Sequence, residues 1–232
     1  MSESNDKVAP RRVATGILGL DDVLGGGFTP NRLYLVEGNP GSGKTTLALQ
    51  CLLEGARLGE KGLYVTLSET KAELASVAKS HGWSLDGVSI LELVAPESEL
   101  EPDNQHAMFQ PSEVELGVTT KAILAEVERA APRRIVIDSL SEMRLLAQSA
   151  LRYRRQVLAL KQYFIGRECT VFLLDDMTSE TEDLQLQSIA HGVVSLEQLS
   201  PEYGSERRRL RITKLRGQSY RGGYHELSLI HI

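Results

Sequence analysis

Aromatic residues make up only 5% of this 232-residue sequence, with a single tryptophan. A protein that holds single-stranded nucleic acid needs aromatics interleaved with bases as a stacking platform, and no such stretch occurs here. Cysteine is as scarce. Cys51 and Cys169 each sit among apolar neighbours, outside any CxxC or CxxH pair. That argues against a metal cage and a disulfide framework, and predicts a reducing compartment. No apolar run approaches the ~20 residues of a membrane span, and MSESNDKVAP lacks the apolar stretch of a signal peptide. Together these absences predict a cytoplasmic protein with no membrane partner.

Positive charge is not in excess either. With 26 basic and 31 acidic residues the net charge is −5, which argues against a protein that coats nucleic acid all over. The charges are segregated, however. Seven acids and no Lys or Arg lie between Glu92 and Glu115, whereas seven bases and one acid lie between Glu206 and Arg221. A hydrophobic share of 41% and a charged share of 25% are ordinary globular values, so wholesale disorder and collagen-like structure are excluded. The length suffices to bury one core. We expect a flexible N-terminal segment over 1–12 and a single domain over 13–232. The strand-like ending GYHELSLIHI has no turn or polar tail, as in a fragment of a longer protein or a non-native terminus.

What is present is a regular alternation. Short apolar, β-branched runs occur at 32–37, 62–67, 88–94, 133–138 and 170–175, apolar throughout as in parallel strands covered on both faces. Helical patterns separate them. Thr70 and Glu73 form a capping-box pattern before a helix that Gly82 closes, and Ser112 and Glu115 repeat it before a helix with Ile123, Leu124 and Val127 on its apolar stripe, stopped by Pro132. A third helix is expected from Leu151 to Phe164. This alternation predicts an α/β fold with a mostly parallel twisted sheet flanked by helices. Residues 193–199, 208–215 and 223–230 are strand-like with no helix between them, which predicts an antiparallel C-terminal extension. Ala95 to Pro111, acidic and with three prolines, reads as a loop.

Gly38 to Thr45 reads GNPGSGKT, a full match to G-x-x-x-x-G-K-[ST], directly after the strand RLYLVE and before a helix. In such a loop Gly38, Asn39, Pro40, Gly41, Ser42 and Gly43 curl so that backbone N–H groups point at phosphate oxygens, and the helix adds its positive end. Lys44 reaches the β- and γ-phosphates, the Thr45 hydroxyl ligates Mg²⁺, and Thr46 is expected to bind the nucleotide from the helix start. The expected ligands are therefore ATP and Mg²⁺.

Three strand ends offer carboxylates to that loop. Asp138 closes RRIVID, where it either supports the metal beside Thr45 or caps the next helix. Glu69 follows the strand GLYVTL, where it either orients the attacking water or is a plain exposed acid. Asp175 and Asp176 close TVFLL, and one of them, with Asp176 preferred, either senses the γ-phosphate or caps a loop. In an open sheet such ends gather around the ligand. On the basic tail Lys214 and Arg216 flank Leu215, so both leave the same face of a strand. Paired cations can stabilise charge on a transferring phosphate, but a nucleic-acid patch or a solvated edge strand would read the same way.

These residues resemble the KaiC-like branch of the RecA-type P-loop ATPases. ATGILGLDDVLGGGF looks like that family's lead-in to the phosphate-loop strand, YVTLSET like its acidic strand end, IVIDSLSE like its metal-supporting strand, and KLRG at 214–217 like its C-terminal K-x-R motif. The match runs from about Val13 to Gly223. The resemblance implies a RecA-like core that assembles as a ring, commonly a hexamer, with ATP at subunit interfaces. It implies that Lys214 and Arg216 act on the neighbour's γ-phosphate. A regulatory ATPase with a signalling partner follows as the leading expectation. A DNA-binding recombination or repair ATPase and a nucleotide-gated scaffold with little turnover remain as alternatives.

The sequence departs from the family in two places. The family's pair of adjacent glutamates, of which the first resembles the general base, is here Ser68–Glu69. Either Glu69 takes that role or hydrolysis is slow. The clock members have two cores with phosphorylated Ser/Thr in the second, whereas this chain has one, so neither clock function nor autokinase activity follows. Arg144, Arg152, Arg154 and Arg155 read as a solvated helix face with Arg–Glu pairs, in preference to a DNA-facing loop or a subunit contact. His81 and His191 read as a helix end and a turn, and Trp83 as packing under the loop after its helix.

Overall fold

The computed structural model describes residues 11–93, 112–177 and 184–227. The expected loop over 95–111 and the last residues of the expected final strand lie outside these. So do the side chains of Ser112 and Glu115 that suggested a second capping box.

Eight strands form one sheet in the order β3-β2-β4-β5-β1-β6-β7-β8. β1 (Leu33–Gly38), β2 (Gly62–Thr66), β3 (Val88–Glu92), β4 (Arg134–Asp138), β5 (Thr170–Asp175) and β6 (Gly192–Leu199) run parallel. β7 (Arg207–Leu215) and the two-residue β8 (His225–Glu226) add the antiparallel edge. The apolar runs thus became parallel strands. Of the three tail runs expected to be antiparallel, however, the first, β6, joins the parallel part of the sheet beside β1, and only β7 and β8 form the antiparallel edge. β3 departs from its apolar sequence: as the sheet's outermost strand it pairs only with β2, and Val88, Ile90 and Leu91 are partly buried.

Side chains alternate across the sheet and seed a core on each face. Leu35, Val65, Ile137 and Leu173 meet α4 (Ser112–Ala130), α5 (Leu140–Ala147), α6 (Ala150–Phe164) and α7 (Leu184–Ile189) through Ile123, Met143, Val157 and Leu186. Tyr34, Val36, Tyr64 and Phe172 meet α1 (Leu18–Val23), α2 (Lys44–Arg57) and α3 (Lys71–Ser80) through Leu20, Leu49 and Leu74. Burying each such large side chain contributes about 1.5–3 kcal/mol. α3 begins at the expected capping box, in which Thr70 Oγ1 accepts from Glu73 N at 3.2 Å and Glu73 Oε2 accepts from Thr70 N at 2.7 Å. α1, α5 and α7 span one or two turns each, too short for a hydrophobic period to show in sequence.

The lead-in segment is tied to the sheet. Val13 bridges to Phe28, Arg11 pairs with Glu60 at 2.6 Å, and Arg12 donates to Thr29 and Gln218. Arg134 is 1% exposed and donates to Glu60 at 2.6 Å, to the Ala14 carbonyl at 2.6 Å and to the Cys51 carbonyl at 2.7 Å. A buried guanidinium is tolerated because each of these acceptors satisfies it.

Candidate functional site

The parallel register sets the site. Glu37 lies level with Asp175 and Ser195, and Thr66 level with Asp138, so the carboxyl ends of β1, β2, β4, β5 and β6 form one rim. The loop after β1 crosses that rim. Gly41 and Gly43 take positive φ of 82° and 101°, a conformation L side chains rarely adopt. A Cβ on Gly38 would lie 2.5 Å from the Leu196 carbonyl and 2.7 Å from Ser42 Oγ. The loop needs glycine at these positions for different reasons, and α2 starts directly after Gly43 with its N–H groups facing the rim.

A cavity of about 330 Å³ opens there, lined by Pro40, Gly41, Gly43, Lys44, Thr45, Thr46, Ser68, Glu69, Val77, Asp138 and Asp176. The carboxylates that the sequence placed at three separate strand ends share this cavity. Lys44 is 5% exposed, and its Nζ donates to the carbonyls of Gly38 at 2.7 Å and Asn39 at 3.1 Å and pairs with Asp176 Oδ1 at 2.9 Å. Of the two aspartates at the end of β5, Asp175 within the strand and Asp176 just after it, only Asp176 lines the cavity. Asp175 is held by Arg144 at 2.7 Å and by Ser141 Oγ at 3.3 Å. That pairing also corrects the expectation that Arg144 belongs to a solvated helix face.

Asp138 accepts from the Tyr64 hydroxyl at 2.5 Å and lines the cavity together with Thr45. Burial pushes its carboxyl above the usual range and Asp176 adds to that, while Tyr64, Lys44 and Thr45 oppose it. Glu69 is held by the Thr66 hydroxyl, which accepts from Glu69 N at 2.9 Å and donates to its carbonyl at 2.6 Å. Its Oε2 is buried with no hydrogen-bond partner among the described residues. Burial raises its pKa, as do the negative charges of Asp138, Glu73 and Asp176. An unpartnered buried acceptor beside a phosphate loop is suited to a water or an incoming hydroxyl. Ser68 lines the same cavity but is exposed.

Lys214 and Arg216 do not line this cavity. They share a face, as the sequence predicts, and hold the end of α7: Lys214 Nζ donates to the carbonyls of Gln187 and Ser188, and Arg216 donates to Ser188 at 3.1 Å. Lys161 joins them by donating to the Ile189 carbonyl at 2.7 Å. None of the three has an acidic partner among the described residues. The other tail bases are matched locally. Arg209 pairs with Glu197 at 2.6 Å and covers the Tyr224 ring, Arg221 pairs with Asp22 at 3.1 Å, and Arg208 donates to the Gly41 carbonyl at 3.1 Å.

The sequence model of the KaiC ATPase family matches residues 13–231. The chain belongs to the KaiC ATPase family. UPF0273 proteins are similar at this level: that of Thermotoga maritima is 26% identical over 220 residues, covering 90% of this chain and 89% of that protein. One from Pyrococcus horikoshii is 28% identical over 217 residues, covering 90% and 87%. The circadian clock oscillator protein KaiC of Prochlorococcus marinus is 27% identical over 223 residues, covering 94% of this chain but 43% of that protein. Among solved structures, a KaiC-like protein from P. horikoshii superposes with a TM-score of 0.75 at 24% identity, covering 95% of each chain. The fold is therefore the RecA-like core of KaiC-type ATPases, and membership makes the chain an ATP-binding ATPase domain. No described helix is long and apolar enough to cross a membrane.

The sequence did not single out Tyr64, Thr66, Ser141 or Lys161. Tyr64 and Thr66 lie inside an apolar strand run and Lys161 inside a helix, where nothing in local pattern separates them from packing residues.

Proposed function

We propose that the protein hydrolyses Mg–ATP in a ring assembly, commonly a hexamer, with each site completed by Lys214 and Arg216 of a neighbouring copy, and that it serves a regulatory or signalling role through a protein partner. The observation that carries this is the convergence of Lys44, Thr45, Glu69, Asp138 and Asp176 on one cavity beside the start of α2.

The residues fit ATP and its metal. Backbone N–H groups of Gly41 to Thr45 receive phosphate oxygens, and the buried Lys44 ammonium supplies positive charge among them. Thr45 and Asp138, which line the same cavity, are the pair that would hold Mg²⁺, largely through water, and the ion would supply neutralisation of phosphate charge there. Among the described residues no group of three or more His, Cys, Asp or Glu could hold a metal alone. Glu69 takes the proton of the attacking water at its unpartnered Oε2, the role that the Ser68 departure left open. Lys214, Arg216 and Lys161 form a cation cluster without an acidic partner among the described residues, which favours an anion arriving from outside the chain. A role on DNA draws no such support, since Arg209, Arg211 and Arg221 of the tail already face Glu197, Tyr224 or Asp22.

The test measures phosphate release and light scattering with and without Mg–ATP, in the wild type and in Lys44→Ala. Nucleotide-dependent assembly and turnover, both lost in the variant, are expected. Unchanged hydrolysis in Lys44→Ala overturns the assignment, and tight stoichiometric binding without phosphate release makes the protein a nucleotide-gated scaffold instead.

A further inference from the structure

Glu37 has no part in the chemistry above, yet it is a carboxylate 6% exposed, at the end of β1 next to Gly38. No cation pairs with it among the described residues. Burying an ionised carboxylate is costly unless hydrogen bonds replace its water. Here Gln187 Nε2 donates to Oε1 at 3.0 Å and to Oε2 at 3.1 Å, and Ser195 Oγ donates to Oε1 at 2.7 Å. An apolar side chain would fill the position without needing these partners, so the arrangement calls for an account of what it holds.

It holds Lys214 from two sides. Gln187 is a residue of α7, and its own carbonyl, with that of Ser188, accepts the Lys214 ammonium. On the other side Ser195 Oγ lies 3.4 Å from Thr213 Oγ1, which is adjacent to Lys214 on β7. Arg216 is fixed through the same helix end, and its backbone N–H donates to the His191 carbonyl at 2.8 Å. The neighbouring Gly38 carbonyl receives Lys44 at 2.7 Å. One buried carboxylate therefore joins the strand of a chain's own phosphate loop to the cations on its other side.

We propose that Glu37 and Gln187 are positioning residues that aim Lys214 and Arg216 at the phosphates of a neighbouring copy. This rests on the ring reading above. Neither residue touches the nucleotide: they act through α7 and through the Ser195–Thr213 contact, and they tie the lending of cations to the state of the lender's own phosphate loop.

The test uses full-length chains in mixed rings. Co-expressed Lys44→Ala chains and Lys214→Ala/Arg216→Ala chains form interfaces at which the first lends cations to the intact loop of the second. Phosphate release recovers there if the ring reading holds. Adding Gln187→Ala to the cation-lending chain is expected to lower the recovered rate by about tenfold to a hundredfold with little change in KM, the scale of a reacting group misplaced by up to an ångström. Adding it to the nucleotide-binding chain is expected to change the rate by less than about twofold. Glu37→Gln, which keeps side-chain volume and one acceptor, serves as the second variant and is expected to show the same one-sided loss. A loss that is equal from either side overturns the positioning role and leaves the ring intact. No recovery in the unsubstituted mixture overturns the ring reading, and this one with it.

Discussion

Lys44 Nζ sits 2.9 Å from Oδ1 of Asp176, with the lysine 5% exposed and the aspartate at the mouth of the same cavity. The cation that a nucleotide must recruit is thus already held by a carboxylate and by two carbonyls of its own loop. A triphosphate entering this site competes with Asp176 for Lys44 and is repelled by its charge. Asp176→Asn is accordingly expected to tighten ATP binding by about threefold to tenfold, the effect of roughly one pKa unit of interaction. Titration with a fluorescent ATP analogue measures this. Equal or weaker binding would show that the ion pair positions Lys44 rather than competing for it.

Glu69 sets a pH limit. Burial, then the charges of Asp138, Glu73 and Asp176, raise its pKa, with Lys44 opposing. A general base must be ionised, so turnover falls as pH drops through this raised value, at a higher pH than an ordinary glutamate would give. Glu69→Gln is expected to lower kcat by about 10²–10⁴-fold and to flatten that acid limb. A wild-type profile whose acid limb lies no higher than an ordinary glutamate would give would count against Glu69 as the base.

His191 couples stability to pH in the same direction. Its Nδ1 accepts from Leu33 N at 3.3 Å, and burial lowers its pKa, helped by Lys161, Arg32 and Arg216. The unfolded chain then binds its proton first as pH falls below about 6.5, so folding stability declines with falling pH between the unfolded and the folded value. Urea unfolding at two pH values either side of that point is expected to show a larger loss in the wild type than in His191→Asn. An identical loss in both would assign the pH response elsewhere.

Two glycines in helices separate packing from propensity. A Cβ on Gly55 in α2 would lie 2.7 Å from Nε and 2.8 Å from Cδ of the buried Arg134. Gly55→Ala is expected to destabilise by about 1–3 kcal/mol despite the better helix former. Gly19 in α1 has nothing within 4 Å of its added Cβ. Gly19→Ala is expected to be neutral or to stabilise by up to about 1 kcal/mol. Thermal or urea unfolding of both variants measures the contrast, and similar values would contradict the packing account of Gly55.

Much of this site was legible because it depends on local backbone chemistry. GNPGSGKT between a strand and a helix carries its own geometry, since Gly41 and Gly43 supply positive φ and α2 starts where its N–H groups are needed. Asp138, Glu69 and Asp176 were legible as strand ends, because parallel strands of an α/β sheet finish on one rim. Which of Asp175 and Asp176 faces the cavity was not. Adjacent residues leave a strand end in different directions, and only the Arg144 and Ser141 side chains of α5 settle that Asp175 turns away.

Scarce aromatics already argued against a stacking platform and two isolated cysteines against a metal cage, the strand–helix alternation pointed to an α/β fold, and the phosphate loop named its ligand class. The basic tail stayed ambiguous, because a run of arginines on a strand says nothing of what lies opposite. The tertiary structure divided it: Arg209 and Arg221 meet acids brought from β6 and α1, while among the described residues Lys214 and Arg216 point their side chains at the carbonyls at the end of α7. Charge pairing across a sheet depends on which strands become neighbours, and that is decided by packing of the whole chain rather than by any local pattern.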